Sequence, residues 1–496
     1  MTRQQDAPVV PVAHPDRFFI DGAWVAPSSD SAFDVVDPAT EQVYFRAAAA
    51  SAADMSRAVE AARRAFDEGP WPRLSHAERA SYLRAFAEGL QARATDAAQI
   101  LPRESGILFS IASMMAQGSG FSFNLYADLA DTFPFQERVT PMMGGDHGLI
   151  VREPVGVVGA IVPWNAPLGQ IPAKVAPALL AGCTVVVKQS PEAPGEGYLI
   201  AEVAEQIGLP PGVFNLVTAD REVSELLVRD PRVDKISFTG STAAGRRIAS
   251  LCGERIARVS LELGGKSAAV ILDDFDLARA AAVIAGAETL MTGQFCTSLT
   301  RIVVSRQRHD EFVEALAAAF GSVQVGDPFD PQSNMGPLAM RRQRDRVEGY
   351  IAQGVADGAQ LVAGGGRPAG LDRGWFIEPT VFAHVNNAST IAQEEIFGPV
   401  LSVIPAADEN DAVAIANDTI FGLNASVFTN DVDRALAVSR RLRSGTVGHN
   451  ACRGDNGILF GGFKQSGIGR EGRIEGLQMY LESKLVVLDG PVPDAS

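Results

Sequence analysis

Val155-Gly156-Val157-Val158-Gly159-Ala160-Ile161-Val162, followed by Cys183-Thr184-Val185-Val186-Val187, decides the fold class of this chain. Both runs are short, rich in β-branched residues and apolar at nearly every position, the pattern of parallel strands covered on two faces. Helical spacing over 171–181 and 196–207 separates them from further strands at 213–217, 235–238 and 258–262, with helices over 222–229 and 243–251 between. Such alternation predicts a doubly wound nucleotide-binding sheet.

Working outward, a second α/β series follows, with strands near 268–272, 301–304, 400–404 and 425–427 and helices over 277–291, 309–320 and 341–356. It predicts a separate catalytic domain. Upstream, Ala58, Ala61, Ala62, Ala65 and Phe66, then Tyr82, Leu83, Phe86 and Leu90, recur at three and four residues and predict amphipathic helices. Residues 136–151 begin polar and turn strand-like, and 480–488 form a strand-like tail. The expected organisation is 1–135 and 154–263 for cofactor binding, 264–476 for catalysis, and 136–153 with 477–496 as an arm and tail. The charge-free run 154–173 holds Pro154, Pro163, Pro167 and Pro172, so it reads as strand and loop rather than a membrane helix. No internal repeat occurs, and the Ala-rich patches read as helix filler.

A length of 496 residues implies more than one core. The net charge of −16 opposes binding to nucleic acid and anionic lipid. Cys183, Cys252, Cys296 and Cys452 form no paired motif, and the amino terminus lacks an apolar signal core, so a cytoplasmic protein is expected. His14, His76, His147, His309, His384 and His449 contain no His-x-x-x-His pair and are read as surface or packing residues, with no metal site.

Four segments carry chemistry: Thr292-Gly293-Gln294-Phe295-Cys296-Thr297, Leu261-Glu262-Leu263-Gly264-Gly265-Lys266, Pro163-Trp164-Asn165, and Phe238-Thr239-Gly240-Ser241-Thr242-Ala243-Ala244-Gly245. A cysteine in an apolar stretch is commonly a small buried hydrophobe, and a Gly-Gly pair commonly a turn. Together, however, a thiol and a carboxylate set in glycine-rich backbone are the parts of a covalent thiol mechanism. In this order and spacing the segments resemble the NAD(P)-dependent aldehyde dehydrogenase family, over about residues 18–488.

The resemblance implies Cys296 as nucleophile, Asn165 with the Cys296 N–H as oxyanion donors, and Glu262 as the base for thioester hydrolysis, with a pKa raised by partial burial. Lys174 and Glu471 would relay the proton outward, although surface charges near helix ends remain an alternative. The Gly-x-Gly-x-x-Gly fingerprint and the P-loop are both absent. Family members hold the cofactor on the variant found here, which implies Ile161, Pro163, Trp164, Gly240, Ser241 and Leu263 in the cleft. Lys188 would meet the adenosine ribose, with Glu395 and Phe397 at the nicotinamide ribose and ring. Arm and tail would build an oligomerisation sheet of a homodimer or homotetramer.

The chain departs from the family at Lys188-Gln189-Ser190-Pro191, where many members carry a ribose-binding glutamate in place of Pro191, with Glu192 one step later. NAD is therefore the expected cofactor, with NADP use possible. Ala166, Gly169, Gln170 and Ala173 replace bulkier residues on the helix after Asn165 and imply a wide pocket, with Phe295, Thr297, Leu299 and Phe460 at its entrance. A bulky apolar, aromatic or terpenoid aldehyde is the expected substrate. The alternative is a carboxylate-bearing semialdehyde held by Arg453. A CoA-acylating dehydrogenase and an inactive structural relative are the remaining readings.

Overall fold

The computed structural model describes residues 9–490. The amino-terminal residues read as lacking a signal core, and the last six of the expected tail, lie outside the described residues. Strands sort their apolar side chains by period two onto opposite faces. Val158, Ala160, Val185 and Val187 join one buried cluster, while Val157, Ile161 and Val186 join another across the sheet. A sheet buried on both faces needs apolar residues at every position, which explains the uniform runs.

The first sheet runs Gly467–Ile468, Arg258–Glu262, Lys235–Thr239, Val157–Ile161, Thr184–Gln189, Phe214–Thr218, Phe18–Ile20, Ala23–Val25. Its five central strands are parallel, and Phe18–Ile20, Ala23–Val25 and Gly467–Ile468 add antiparallel edges. Chain order reverses between Val157–Ile161 and Lys235–Thr239, a topological switch point that opens a crevice beyond the strand ends. The register brings Lys188 level with Ile161, Ile161 with Phe238, and Thr239 with Glu262 along that rim.

The second sheet runs Gln360–Ala363, Thr380–Ala383, Val400–Ala406, Arg301–Ser305, Ala268–Ile271, Asn424–Phe428, Thr446–His449, parallel except at the first strand. This is the expected mixed α/β architecture of a nucleotide-binding and a catalytic sheet. Strand Gly467–Ile468 leaves the expected catalytic segment to close the first sheet. Residues 264–267 cross between the sheets.

Leu481–Leu488, His147–Pro154 and Gln136–Val139 form a small antiparallel sheet, so tail and arm pair within one chain. Ala32–Asp37 and Gln42–Ala48 form a hairpin that the apolar pattern did not signal. Helix Pro167–Ala181 begins earlier than the proline content suggested, although 154–173 was expected as strand and loop. Pro167 occupies the first turn, where the missing N–H costs nothing, and Pro172 and Pro177 are carried inside a helix buried along most of its length. Among the described residues no helix is long and apolar enough to cross a membrane.

Candidate active site

Glycine builds the crevice at the switch point. A Cβ on Gly240 would lie 2.5 Å from the Phe238 ring, and one on Gly245 2.5 Å from Leu263, so backbone and helix approach closely. Ser241 caps helix Thr242–Glu254, its hydroxyl accepting from the Ala244 N–H at 3.3 Å. The helix start thus presents N–H groups and a positive dipole end to an anion. Beside it the buried Thr239 hydroxyl has no partner.

Across the crevice, Trp164 and Phe397 meet edge to face at 5.5 Å. Phe397 has a φ of 63°, a left-handed conformation that Gln343 secures by donating to the Ile396 and Phe397 carbonyls. The Glu395 carboxylate accepts the Gly265 N–H at 3.0 Å, and a Cβ on Gly264 would fall 2.3 Å from it. Burial pushes Glu395 up to about 7 against that hydrogen bond and the Arg346 and Lys266 charges. N–H donors at a helix start, an orphan hydroxyl, a carboxylate and two aromatic faces are a donor set that fits a dinucleotide.

Lys188 is nearly buried, and desolvation lowers its ammonium to about 8 against the Glu192 and Asp220 charges. Glu192, passed over in favour of the missing glutamate at 191, therefore faces Lys188 electrostatically. Burial raises its carboxyl, but the Ser190 hydroxyl and the Arg342 guanidinium outweigh burial and hold it below the usual range.

The nucleophile loop lies between helix Leu277–Thr289 and strand Arg301–Ser305. Thr292 and Gly293 take left-handed φ values of 54° and 68°, and a Cβ on Gly293 would sit 2.3 Å from the Gly398 carbonyl carbon. Gln294 anchors the turn: its Oε1 accepts the Ala339 N–H at 2.9 Å, and its main-chain carbonyl accepts Asn165 Nδ2 at 3.1 Å. Asn165 is thereby brought against the loop that carries Cys296, with one amide hydrogen left over. A Cβ on Gly265 would meet the Cys296 carbonyl at 2.4 Å. Burial, then Glu395, Glu262 and Glu471, push the Cys296 thiol well up, so its proton needs an acceptor.

Glu262, at the end of its strand, is 4% exposed, and its Oε2 has no partner. Burial and Glu471 raise it well above the carboxylate range, against Lys174 and Arg470. Fully buried Lys174 pairs with Glu471 at 2.6 Å. The structure therefore gathers Glu262, Lys174 and Glu471, and a surface position for the latter two is excluded.

Among the pocket residues, Gly169 is exposed, and a Cβ there would meet nothing within 4 Å. Ala166 and Gln170 are half-buried and Ala173 nearly buried, while Phe295, Thr297 and Phe460 are partly exposed. Leu299, expected at the entrance, is fully buried in the core of the second sheet with Ala269, Ile302 and Leu316. The chain turns inward after Thr297 to enter strand Arg301–Ser305, which carries Leu299 away from solvent. Arg453 is exposed and forms no ion pair among the described residues. Phe121, 55% exposed at the start of helix Phe121–Ala127, reaches to 2.6 Å from where a Cβ on Gly457 would stand. It was missed because its segment carries only a helix-period signal.

His384 meets the adjacent pair His309 and Asp310, from which it is remote in sequence. His309 Nε2 accepts the His384 N–H at 3.2 Å, which leaves Nδ1 to donate to Asp310 at 2.8 Å; His309 is buried, whereas Asp310 and His384 are exposed. Cys183 and Cys252 are buried, and all four cysteines are free.

A sequence model of the aldehyde dehydrogenase family matches residues 24–486. The chain is 44% identical over 477 residues to the geranial dehydrogenase of Castellaniella defragrans, covering 96% of this chain and 99% of that one. It is 43% identical to a 3-succinoylsemialdehyde-pyridine dehydrogenase from a Pseudomonas species, covering 95% and 98%. A crystal structure of a Mycobacterium tuberculosis aldehyde dehydrogenase complexed with NAD+ superimposes with a TM-score of 0.93 at 46% identity, covering 95% and 98%.

Proposed function

As the chain belongs to the aldehyde dehydrogenase family and is an NAD-dependent aldehyde dehydrogenase, we propose that Cys296, Asn165 and Glu262 perform its chemistry on a bulky, apolar aldehyde. Cys296, partly exposed, releases its thiol proton to water, and the sulfur forms a bond to the carbonyl carbon as the π pair moves to oxygen. Asn165 Nδ2 and the Cys296 N–H then meet that oxygen. The chemistry a bound NAD would supply is hydride acceptance, and loss of hydride from this carbon would leave a thioester on Cys296. Glu262, its proton affinity raised by burial, takes a proton from water as the water oxygen attacks. The C–S bond breaks, the acid departs, and the buried Lys174–Glu471 pair passes the proton outward. A partnerless carboxylate oxygen suits hydrolysis, whereas a CoA-acylating enzyme has no use for it.

Ile161, Pro163, Trp164, Gly240, Ser241 and Leu263 would line the cofactor crevice, with Lys188 at the adenosine ribose and Glu395 and Phe397 at the nicotinamide ribose and ring. The first sheet would bind the cofactor and the second carry catalysis, with the small sheet joining subunits through its Leu481–Leu488 edge, where Leu485 and Val487 are exposed. Four free cysteines agree with a reducing cytoplasm.

The open space at Gly169 carries the substrate reading. The named relatives act on geranial and on a pyridine-bearing semialdehyde, both in keeping with a roomy pocket. In Gly169→Trp, kcat/KM for geranial or cinnamaldehyde should fall at least about tenfold while that for propanal changes little. Equal loss for both would contradict the placement of the pocket. A second reading, a carboxylate-bearing semialdehyde, is favoured by Arg453, exposed and without an ion pair among the described residues. Arg453→Ala would then selectively impair succinic semialdehyde, and unchanged kinetics would dismiss it.

A further inference from the structure

Glu288 is fully buried in the last turn of helix Leu277–Thr289. One carboxylate oxygen accepts the Leu299 N–H at 2.9 Å, and the other accepts the Ser298 hydroxyl. The main-chain carbonyl of the same residue accepts the Gly293 N–H at 2.8 Å. A single residue therefore clasps both ends of the turn 293–299, with Cys296 at its middle. Ser298 also borders the cleft formed by Gly265, Phe295, Glu395 and Phe397.

A carboxylate is a costly choice for this place. The carbonyl end of a helix repels negative charge, and burial strips the water from it. Burial pushes Glu288 up to about 7, against its bonds to Ser298 and Leu299 and the charge of Lys266. Lys266, the nearby cation, is itself buried with a partnerless ammonium. An apolar residue would fill the space more cheaply but would free the turn, leaving the Leu299 N–H and Ser298 hydroxyl buried without partners.

We propose that Glu288 is a positioning residue for the nucleophile, fixing the turn through Ser298, Leu299 and Gly293 so that the Cys296 thiol and N–H face one carbonyl site. The inference rests on Cys296 being the nucleophile. Catalytic geometry is sensitive to displacements of an ångström, and the loss should appear in turnover rather than in cofactor binding.

The test compares Glu288→Ala, Glu288→Gln, Ser298→Ala and Cys296→Ala in the full-length protein, with NAD and one good aldehyde. Glu288→Ala should lower kcat roughly tenfold or more with KM for NAD within about twofold. Glu288→Gln should restore kcat to within about threefold of the native enzyme, because the amide oxygen accepts from Leu299 and the amide nitrogen donates to Ser298. Ser298→Ala, which removes one bond only, should lower kcat by roughly threefold. A native kcat in Glu288→Ala, no rescue by glutamine, or a parallel loss of NAD affinity overturns the proposal. Should Glu288→Ala fail to fold, a native kcat in Ser298→Ala overturns it alone. Activity surviving in Cys296→Ala would instead overturn the nucleophile assignment and this inference with it.

Discussion

At the residue scale, the proposed contact of Lys188 with the adenosine ribose makes the charges around it the place to test cofactor choice. Pro191 removes the glutamate expected to reject a 2′-phosphate, yet the Glu192 carboxylate, held ionised by Ser190 and Arg342, stands beside the same lysine. Replacing that carboxylate by an amide leaves Arg342 without its anion and Lys188 with the Asp220 charge alone. Glu192→Gln should therefore raise the NADP-to-NAD ratio of kcat/KM about tenfold or more, equivalent to ~1.4 kcal/mol. Steady-state kinetics with both cofactors checks it, and an unchanged ratio would remove Glu192 from the selectivity device. The residues proposed for catalysis were readable from short motifs, Gly293-Gln294-Phe295-Cys296, Glu262-Leu263-Gly264-Gly265 and Pro163-Trp164-Asn165. Glu192, Glu288 and Phe121 were not. Their partners, Arg342, Ser298 and Gly457, lie beyond the local spacing that a motif records.

At the element scale, helix Pro167–Ala181 carries Asn165 at its mouth and Lys174 inside, so its first turn has to stay put. Proline at the first position has no N–H to be capped, and Ala166 before it offers no side-chain acceptor to the N–H groups that follow. The anchor comes from another helix: buried Glu196, in Gly195–Gln206, accepts the Leu168 N–H at 2.7 Å. Burial raises Glu196 to about 8 against that bond. A carboxyl whose folded pKa lies above its ordinary value contributes stability below about pH 4.5, and that contribution is lost as the pH climbs through about 8. Glu196→Gln keeps the acceptor and removes the titration. Its melting temperature relative to the native protein should therefore rise steadily from pH 5 to pH 8.5, reflecting an upper bound of roughly 3–5 kcal/mol. A pH-independent difference between the two proteins would show that Glu196 carries no such burden. Helices and parallel strands were legible by period, whereas the hairpin at 32–48 was not. Its partly exposed faces mix polar and apolar residues, and no continuous run marks it.

On the scale of the whole molecule, two parallel sheets meet along the segment 264–267, and the site lies where their strand ends converge. The first sheet supplies the crevice and Glu262, and the second supplies the loop of Cys296 and the segment of Glu395. Alternation of strands and helices made this two-sheet plan legible. The return of Gly467–Ile468 to the first sheet was not, because a two-residue edge strand leaves no periodic trace. Leu299 shows the same limit in miniature, since its direction depends on how a loop enters a strand rather than on its apolar character. The proposed chemistry passes an acyl group through Cys296 and releases it by water that Glu262 activates. Intact-protein mass spectrometry of Glu262→Gln, quenched after mixing with NAD and an aromatic aldehyde, tests it most directly. The expected result is an added mass equal to the acyl group, mapped to Cys296 and absent when NAD is withheld. An unmodified enzyme that still turns over, or an adduct on Cys452, would contradict it.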